Sequence, residues 1–406
     1  MGARGIATLH DHALTIAPSN GSLRVSVVIP CLNEVENVEQ CVRLARDVLD
    51  EHGISGEVLV VDNGSTDGSG ELARSAGARV VEEPRRGYGN AYLAGFAAAS
   101  GDYIVMADAD LTYDFREIPR FLAELEDGGD LVMGDRFQKI HPGAMPWLNQ
   151  HVGNPVLTGL LNGIFKAGVS DAYCGMRGIR RAALPQLGLR ADGMEFGLEM
   201  IIRAAEENLD IREIPIELHP RGGVSKLAPF RDGWRSVHII LVHSPRHLFM
   251  LPGLLMATIG VAIGAVVLTG TDLFGRPWYA HALIGGALLV ILGVQVLGLG
   301  FCGEVYAADV LNKPGTLVER LRRRGLGIRH AYWLGSALVL CGLALGVAVI
   351  AKWAQQGFGT LAEEPLAITA TTVLIVGAQT IFISLFLSLL ALGRSGSTIE
   401  APRVAR

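Results

Sequence analysis

The residues best placed for chemistry close the stretch Tyr103-Ile104-Val105-Met106-Ala107-Asp108-Ala109-Asp110, an apolar run ending in two carboxylates. A run rich in β-branched and aromatic residues predicts a buried strand, and in open α/β sheets ligands collect at the carboxyl ends of strands. Alternation turns Asp108 and Asp110 to one side with Ala109 between them, so two hard oxygen ligands can meet one divalent cation and its phosphates. Mg²⁺ or Mn²⁺ suits such a pair. An isolated Asp-x-Asp is more often a solvated turn, but Glu34 follows the apolar run at 25–30 and Asp62 follows the one at 57–61. Acids at three strand ends converge on one rim, and a shared nucleotide and metal site becomes the better reading.

The elements that must position these acids begin with a strand over 25–30, stopped by Pro30. Asn33 and Glu36 form a capping-box-like start to a helix over 34–51, where Val35, Val38, Val42, Ala45 and Leu49 recur at helical spacing. A strand over 57–61 ends in Asp62-Asn63-Gly64-Ser65-Thr66-Asp67, a turn that caps another helix through Ser65. A strand over 78–81, a helix over 88–99 and the Tyr103 strand complete a βαβαβαβ series. This predicts an α/β, Rossmann-like, mostly parallel sheet. Further on, 130–133 and 211–216 read as strands, and 154–165 and 195–207 as helices. No Gly-x-Gly-x-x-Gly follows the first strand and no P-loop pattern occurs, which counts against a dinucleotide oxidoreductase or a P-loop NTPase.

Half of the 406 residues are hydrophobic, and the net charge of −5 gives no sign of a nucleic-acid partner. Cys31, Cys41, Cys174, Cys302 and Cys341 are scattered without a Cys-x-x-Cys pair, so free thiols in a reducing compartment are expected. Residues 1–22 lack a charged segment followed by an apolar core and read as a flexible tail, not a signal peptide. The stretches 248–270, 282–302, 331–351 and 366–393 carry no charged residue and reach the ~20 residues a spanning helix needs. Arg246 precedes the first stretch. Lys313, Arg320, Arg322, Arg323, Arg324 and Arg329 lie between the second and third, and Arg394, Arg403 and Arg406 follow the fourth. That asymmetry predicts a multi-pass protein of the cell membrane with both termini and the sheet domain in the cytoplasm. Phe230, Trp234, Val237 and Leu241 form an apolar stripe flanked by Arg231, Arg235 and His238, the pattern of an interfacial helix over 229–247, with a core stripe as the alternative. The expected organisation is a tail (1–22), a sheet domain (23–228), the interfacial helix, a membrane domain (248–393) and a cytoplasmic tail (394–406).

Three motifs together, Val27-Val28-Ile29-Pro30-Cys31-Leu32-Asn33-Glu34, Val61-Asp62-Asn63-Gly64-Ser65-Thr66-Asp67 and Ala107-Asp108-Ala109-Asp110, resemble family 2 glycosyltransferases of the GT-A fold. Gly134-Asp135-Arg136, Asp171-Ala172-Tyr173-Cys174-Gly175-Met176-Arg177 and Arg221-Gly222-Gly223-Val224-Ser225-Lys226 narrow the resemblance to polyprenyl-phosphate sugar synthases, which include dolichol-phosphate mannose and glucose synthases. It covers about residues 23 to 250. It implies a nucleotide-sugar donor, held through Pro30, Leu32, Glu34, Asp62, Asn63, Asp108 and Ala109, and a Mg²⁺ or Mn²⁺ ion on Asp108 and Asp110. Arg136, Arg221 and Lys226 match positions used near the phosphates and the acceptor, so with Asp110 they form the implied catalytic set. Thr112 replaces a Gln found in some relatives, and Asp135 stands where Ser is common before the Arg. Glu199 matches an acid in relatives, and Asp171 with Arg177 reads as a scaffold pair. The implied partners are a UDP-glucose or GDP-mannose donor, a polyprenyl or dolichyl phosphate acceptor and the bilayer; a homo-oligomer is compatible with all of this.

The reaction follows from elementary chemistry. A phosphate monoester loses its second proton near pH ~6, so the acceptor is already an anion and needs no general base. Positioning and charge control remain to be supplied, and one displacement inverts the anomeric centre. Two other readings stand beside this one. A processive polysaccharide synthase would carry Gln-x-x-Arg-Trp, which is absent, and would place its sheet domain between spans. A degenerate domain serving as a docking platform for lipid-sugar transport or a later transferase is opposed by the intact acids.

Overall fold

The structure is a computed structural model that describes residues 23–222, 229–271, 279–309, 316–358 and 364–392. The chain runs through β1 (Val25–Cys31), α1 (Val38–Glu51), β2 (Gly56–Asp62), α2 (Ser69–Ser75), β3 (Arg79–Glu82), α3 (Tyr88–Ala98) and β4 (Tyr103–Met106). It continues with α4 (Ile118–Glu126), β5 (Leu131–Ile140), α5 (Asn154–Phe165), β6 (Arg177–Arg180), α6 (Leu184–Leu187), α7 (Phe196–Glu206), β7 (Ile211–Leu218) and α8 (Pro229–Val242). The strands form one seven-stranded sheet in the order β3-β2-β1-β4-β6-β5-β7. The sheet is mostly parallel, as expected of a GT-A domain. β6 runs antiparallel to both β4 and β5. Its sequence, Arg-Gly-Ile-Arg, carries no strand-like pattern, which is why it is invisible to periodicity.

Helices cover both faces, so the central strands are apolar on both sides. Val25, Val27 and Ile29 of β1 pack with Val38, Val42 and Ala45 of α1 and with Phe121 and Leu125 of α4. Val28 points the other way, towards Tyr92 and Phe96 of α3 and Phe196 of α7. Gly95 lets α3 approach the sheet: a Cβ there would come within 2.4 Å of Val28 Cγ1.

β1 is where the chain changes direction across the sheet, with β2 and β3 on one side and β4 on the other, the topological switch point at which open sheets hold ligands. The ladder between β1 and β4 ends at Val28–Met106, whereas that between β1 and β2 runs on to Cys31–Asp62. The ends of β1 and β4 therefore part and leave a crevice. Pro30 does not stop β1 as the sequence suggested. Beyond Val28 the strand pairs on one side only, where a residue without an N–H is tolerated.

Two helix starts also differ from expectation. Asn33 is not the cap of α1; it adopts a left-handed φ of 52°, and its Oδ1 accepts the Thr66 N–H at 2.8 Å. At α2 the carboxylate of Asp67, not the hydroxyl of Ser65, accepts the Ser69 N–H at 3.0 Å. Ser65 instead accepts the Asn33 N–H, so the two loops that follow β1 and β2 are tied together.

The chain divides into two compact units, Met1–His243 and Ser244–Arg406. α8 belongs to the first: its Ile240 is buried among the core residues of the α3 and α7 face, Ser236 is buried, and Trp234 is 70% exposed. The side chains of Phe230 and Arg231 lie outside the described part. The second unit contains α9 (Leu251–Thr269), α10 (Ala280–Asp309), α11 (Leu317–Arg323), α12 (Ile328–Gln355) and α13 (Glu364–Leu392). Four of its helices, Arg246–Thr269, Ala280–Ala308, Ile328–Gln355 and Glu364–Leu390, are long and apolar enough to cross a bilayer, which makes this a multi-pass membrane protein. In lipid the helices gain little from burying apolar surface, and close backbone approach takes its place. A Cβ on Gly293 of α10 would lie 2.5 Å from the Ala257 nitrogen of α9. α10 outlasts its apolar stretch, and Glu304 near its end accepts the Leu317 N–H at the start of α11 at 2.7 Å. Lys313 and the tail at 394–406 lie outside the described residues.

The close approach of α3 gives a test of what holds the crevice wall in place. Gly95→Val forces branched atoms against Val28 and Val61, and overpacking of this kind costs about 1–3 kcal/mol. The expected outcome is a lower thermal midpoint for the purified protein in detergent; an unchanged midpoint would contradict the packing described.

Candidate active site

The four carboxylates sit at the strand ends around the crevice. Asp62 is the last residue of β2, and its Oδ1 accepts the Ser65 N–H at 2.8 Å. Asp108 and Asp110 follow β4. Oδ1 of Asp108 accepts the Tyr88 hydroxyl at 2.9 Å, and its Oδ2 lies so close to Gly175 that a Cβ there would stand 2.7 Å away. Burial, and then the charge of neighbouring Asp110, push the Asp108 carboxyl up to about 7, against the Tyr88 hydrogen bond and the charges of Arg221 and Arg136. Asp110 is 6% exposed. Its Oδ1 accepts the Thr112 N–H at 3.1 Å and the Thr112 hydroxyl at 2.6 Å.

A single guanidinium connects this cluster to Glu34. Arg221 Nη1 stands 3.3 Å from Asp110 Oδ2, and Nη2 donates to Glu34 Oε1 at 2.8 Å. The backbone around it is sewn to the same rim. The His219 N–H donates to the Thr112 carbonyl at 3.0 Å and the Gly222 N–H to the Asp110 carbonyl at 3.1 Å. From the other side of the crevice the Asn37 amide donates to the Gly222 carbonyl at 3.1 Å, and the Glu34 N–H donates to Ser69 Oγ at 2.9 Å. The segment 219–222 thus bridges the parted ends of β1 and β4, and Arg221 supplies positive charge between two carboxylates.

The structure gathers Glu34, Asp108, Asp110 and Arg221, with Pro30, Leu32, Asp62 and Ala109 on the adjoining strand ends. Lys226 lies outside the described residues. Asn63 is 4% exposed and spends its side chain on the turn before α3, donating to the Glu83 and Arg85 carbonyls and accepting the Gly87 N–H. Any contact it makes with a nucleotide must come from its backbone. Arg136 is not turned to solvent or to an acceptor: it is 8% exposed and forks onto Asp171, with Nε to Oδ2 at 2.6 Å and Nη2 to Oδ1 at 2.9 Å. This corrects the scaffold pair read from the sequence. Asp171 pairs with Arg136, while Arg177 donates to the carbonyls of Cys174, Ala172 and Gly197. Glu199 is a buried structural acid that accepts the N–H groups of Arg190 and Ala191 at 2.9 and 2.7 Å. Sequence reasoning passed over Tyr88 and Asn37 and gave Gly175 no role of its own; they orient Asp108 and the bridging segment. Only the position of Tyr88 at a helix start after a glycine hinted at a role.

The donor set fits a hard divalent cation. It is made of carboxylate oxygens, among them those of buried Asp110, and it already draws a guanidinium.

Comparison with known proteins gives a consistent outcome. Residues 26–188 match the family described as Glycosyl transferase family 2, and residues 301–391 match the Glycosyltransferase family 2 C-terminal transmembrane region. The chain is 39% identical to the low-salt glycan biosynthesis hexosyltransferase Agl6 of Haloferax volcanii, over 93% of this chain and 91% of that protein. It is 39% identical to a dolichyl-phosphate hexose transferase of the same organism, over 44% of this chain and 76% of that one. An undecaprenyl-phosphate 4-deoxy-4-formamido-L-arabinose transferase of Enterobacter sp. is 27% identical over 74% of this chain and 94% of its own length.

Two measurements follow from the site's electrostatics. Between about pH 4, where a carboxyl in the unfolded chain ionises, and about 7, where Asp108 ionises in the fold, the native state holds the extra proton. Stability therefore falls as pH rises through that window. Asp108→Asn removes the penalty, so its thermal midpoint should exceed that of the unaltered protein at pH 8, with the gain vanishing towards pH 4; a gain independent of pH would refute the assignment. Asp171→Ala strands the Arg136 charge and should cost about 3–5 kcal/mol. Adding Arg136→Met to it should recover part of that loss in the same unfolding measurement.

Proposed function

The chain belongs to glycosyltransferase family 2, and from that premise we propose that it moves one hexose from a nucleotide sugar to a polyprenyl phosphate at the cytoplasmic face of the membrane, with inversion. The observation that carries this reading is the joint hold of Arg221 on Glu34 and Asp110, which gathers the acids of separate strand ends around one positive charge. Its relatives include proteins named for dolichyl- and undecaprenyl-phosphate acceptors, and its four long apolar helices suit a lipid-borne substrate. UDP-glucose and GDP-mannose both fit the reading.

In this reading Pro30, Leu32, Glu34, Asp62 and the backbone of Asn63 hold the base and ribose, with Asp108 and Ala109 continuing the cradle across the crevice. Asp110, with Asp108 beside it, would hold Mg²⁺ or Mn²⁺, which supplies positive charge against the leaving diphosphate. Arg221, freed from its carboxylates as the donor settles, turns its guanidinium to phosphate oxygens, with Lys226 serving the acceptor. Arg136 keeps a positioning role: its fork on Asp171 fixes the turn that carries Gly175 against Asp108. No residue needs to take a proton from the acceptor, since its phosphate is already ionised. Basic residues around α11 support a cytoplasmic position for the sheet domain and termini.

The test is transfer by the purified protein in detergent, with Mg²⁺ or Mn²⁺, a polyprenyl phosphate and a panel of radiolabelled UDP- and GDP-sugars. Label should enter an organic-extractable lipid from one donor, stop with chelator, and fall by about 10²–10³-fold in Asp110→Asn. Absence of transfer from every donor by a folded protein would overturn the reading in favour of a docking platform.

A further inference from the structure

Among the described residues, one group of three side chains has the composition and spacing of a metal site, and it uses none of the carboxylates discussed above. His141, Glu217 and His219 each offer one ligand atom, and all three atoms lie within 4.8 Å of one another. They come together because β5 and β7 run parallel, and the register shift between Asp135 and Lys139 sets Lys139 opposite Glu217. The His141 N–H then donates to the Leu218 carbonyl at 3.0 Å, which fixes the residue just past the end of β5 beside the last turn of the ladder.

The two oxygens of Glu217 have separate tasks. Oε1 takes the Lys139 ammonium, while Oε2 faces both imidazoles, 2.8 Å from His141 Nε2 and 3.9 Å from His219 Nε2. The rings lie face to face with centroids 4.5 Å apart and 19° between planes. All three side chains are about one-third exposed, so an ion has a path in and water can complete its shell. Zn²⁺ with bonds of about 2.0–2.1 Å in tetrahedral geometry sets its ligand atoms about 3.3 Å apart. The two observed separations bracket that value, and a modest turn of the His219 ring brings its nitrogen in. Two imidazoles with one carboxylate are a borderline set that favours Zn²⁺ and its neighbours over Mg²⁺, whereas Asp108 and Asp110 offer oxygen alone.

We propose that His141, Glu217 and His219 form a Zn²⁺-type site that clamps the ends of β5 and β7. His219 stands two residues before Arg221, and its N–H is already bonded to the Thr112 carbonyl. An ion here holds the root of the segment that carries Arg221 across the crevice, and so links transition-metal supply to the geometry of the acidic rim.

The experiment uses the full-length, tag-free protein in detergent, stripped with chelator and titrated with Co²⁺ under excess Mg²⁺ so that carboxylate-only sites are filled. The expected result is uptake of one Co²⁺ per chain with visible d–d absorption bands that Zn²⁺ abolishes. His141→Gln and His219→Gln should each weaken uptake by about 100-fold or more, beyond the ~10–100-fold that losing an outer-sphere partner costs a metal site. Asp110→Asn should bind Co²⁺ as the unaltered protein does. No saturable uptake by the unaltered protein, or uptake that survives both histidine variants, overturns the proposal. Loss of uptake in Asp110→Asn alone would assign the ion to the acidic rim. A Zn²⁺-dependent rise in thermal midpoint, present in the unaltered protein and absent from both histidine variants, reports the same site independently of absorbance.

Discussion

Bringing several carboxylates to one rim of a sheet raises the electrostatic energy of the fold unless positive charge is brought with them. Burial first, and the charge of Asp110 second, raise the pKa of Asp108, and Arg221, held by Glu34 and Asp110 together, is the chain's own partial remedy. Much of the surrounding structure can be understood as the means of putting that arginine there. β7 delivers the segment, the carbonyls of Asp110 and Thr112 anchor its backbone, and Asn37 fastens it to the start of α1.

The core around the rim serves a second constraint, that buried charge must be paired. Arg136 and Asp171 satisfy each other with two hydrogen bonds, and Arg177 satisfies itself on three carbonyls. They hold the 171–177 turn, including the glycine that backs Asp108, at a distance no side chain could match.

The sequence was most legible where local patterns decide the outcome. The apolar runs of β1, β2 and β4, the helix over 154–165, and the four charge-free stretches are each set by their own residues, and all appear in the structure. Glu34, Asp62, Asp108 and Asp110 could be read because strand ends in such sheets share a rim. Legibility failed where partners lie far apart in the chain. Nothing local says that Asp171 meets Arg136, 35 residues away, and not Arg177, or that Asn63 is consumed by the turn before α3. Likewise His141 and Glu217 are 76 residues apart and meet only through the register of β5 and β7. β6 was missed because it owes its strand conformation to the neighbours on both sides, not to its own arginine-flanked sequence.

The parting of β1 from β4 beyond Val28 and Met106 has an evolutionary side. The acids and the loops that face the crevice stand on strand tails that have already left the β1–β4 ladder, while the packed sheet beneath ends before them. Changes in the side chains that face the crevice leave the β1–β4 ladder intact, so a lineage can vary those groups without rebuilding the paired part of the sheet. A scaffold divided in this way separates what must be inherited from what can be varied.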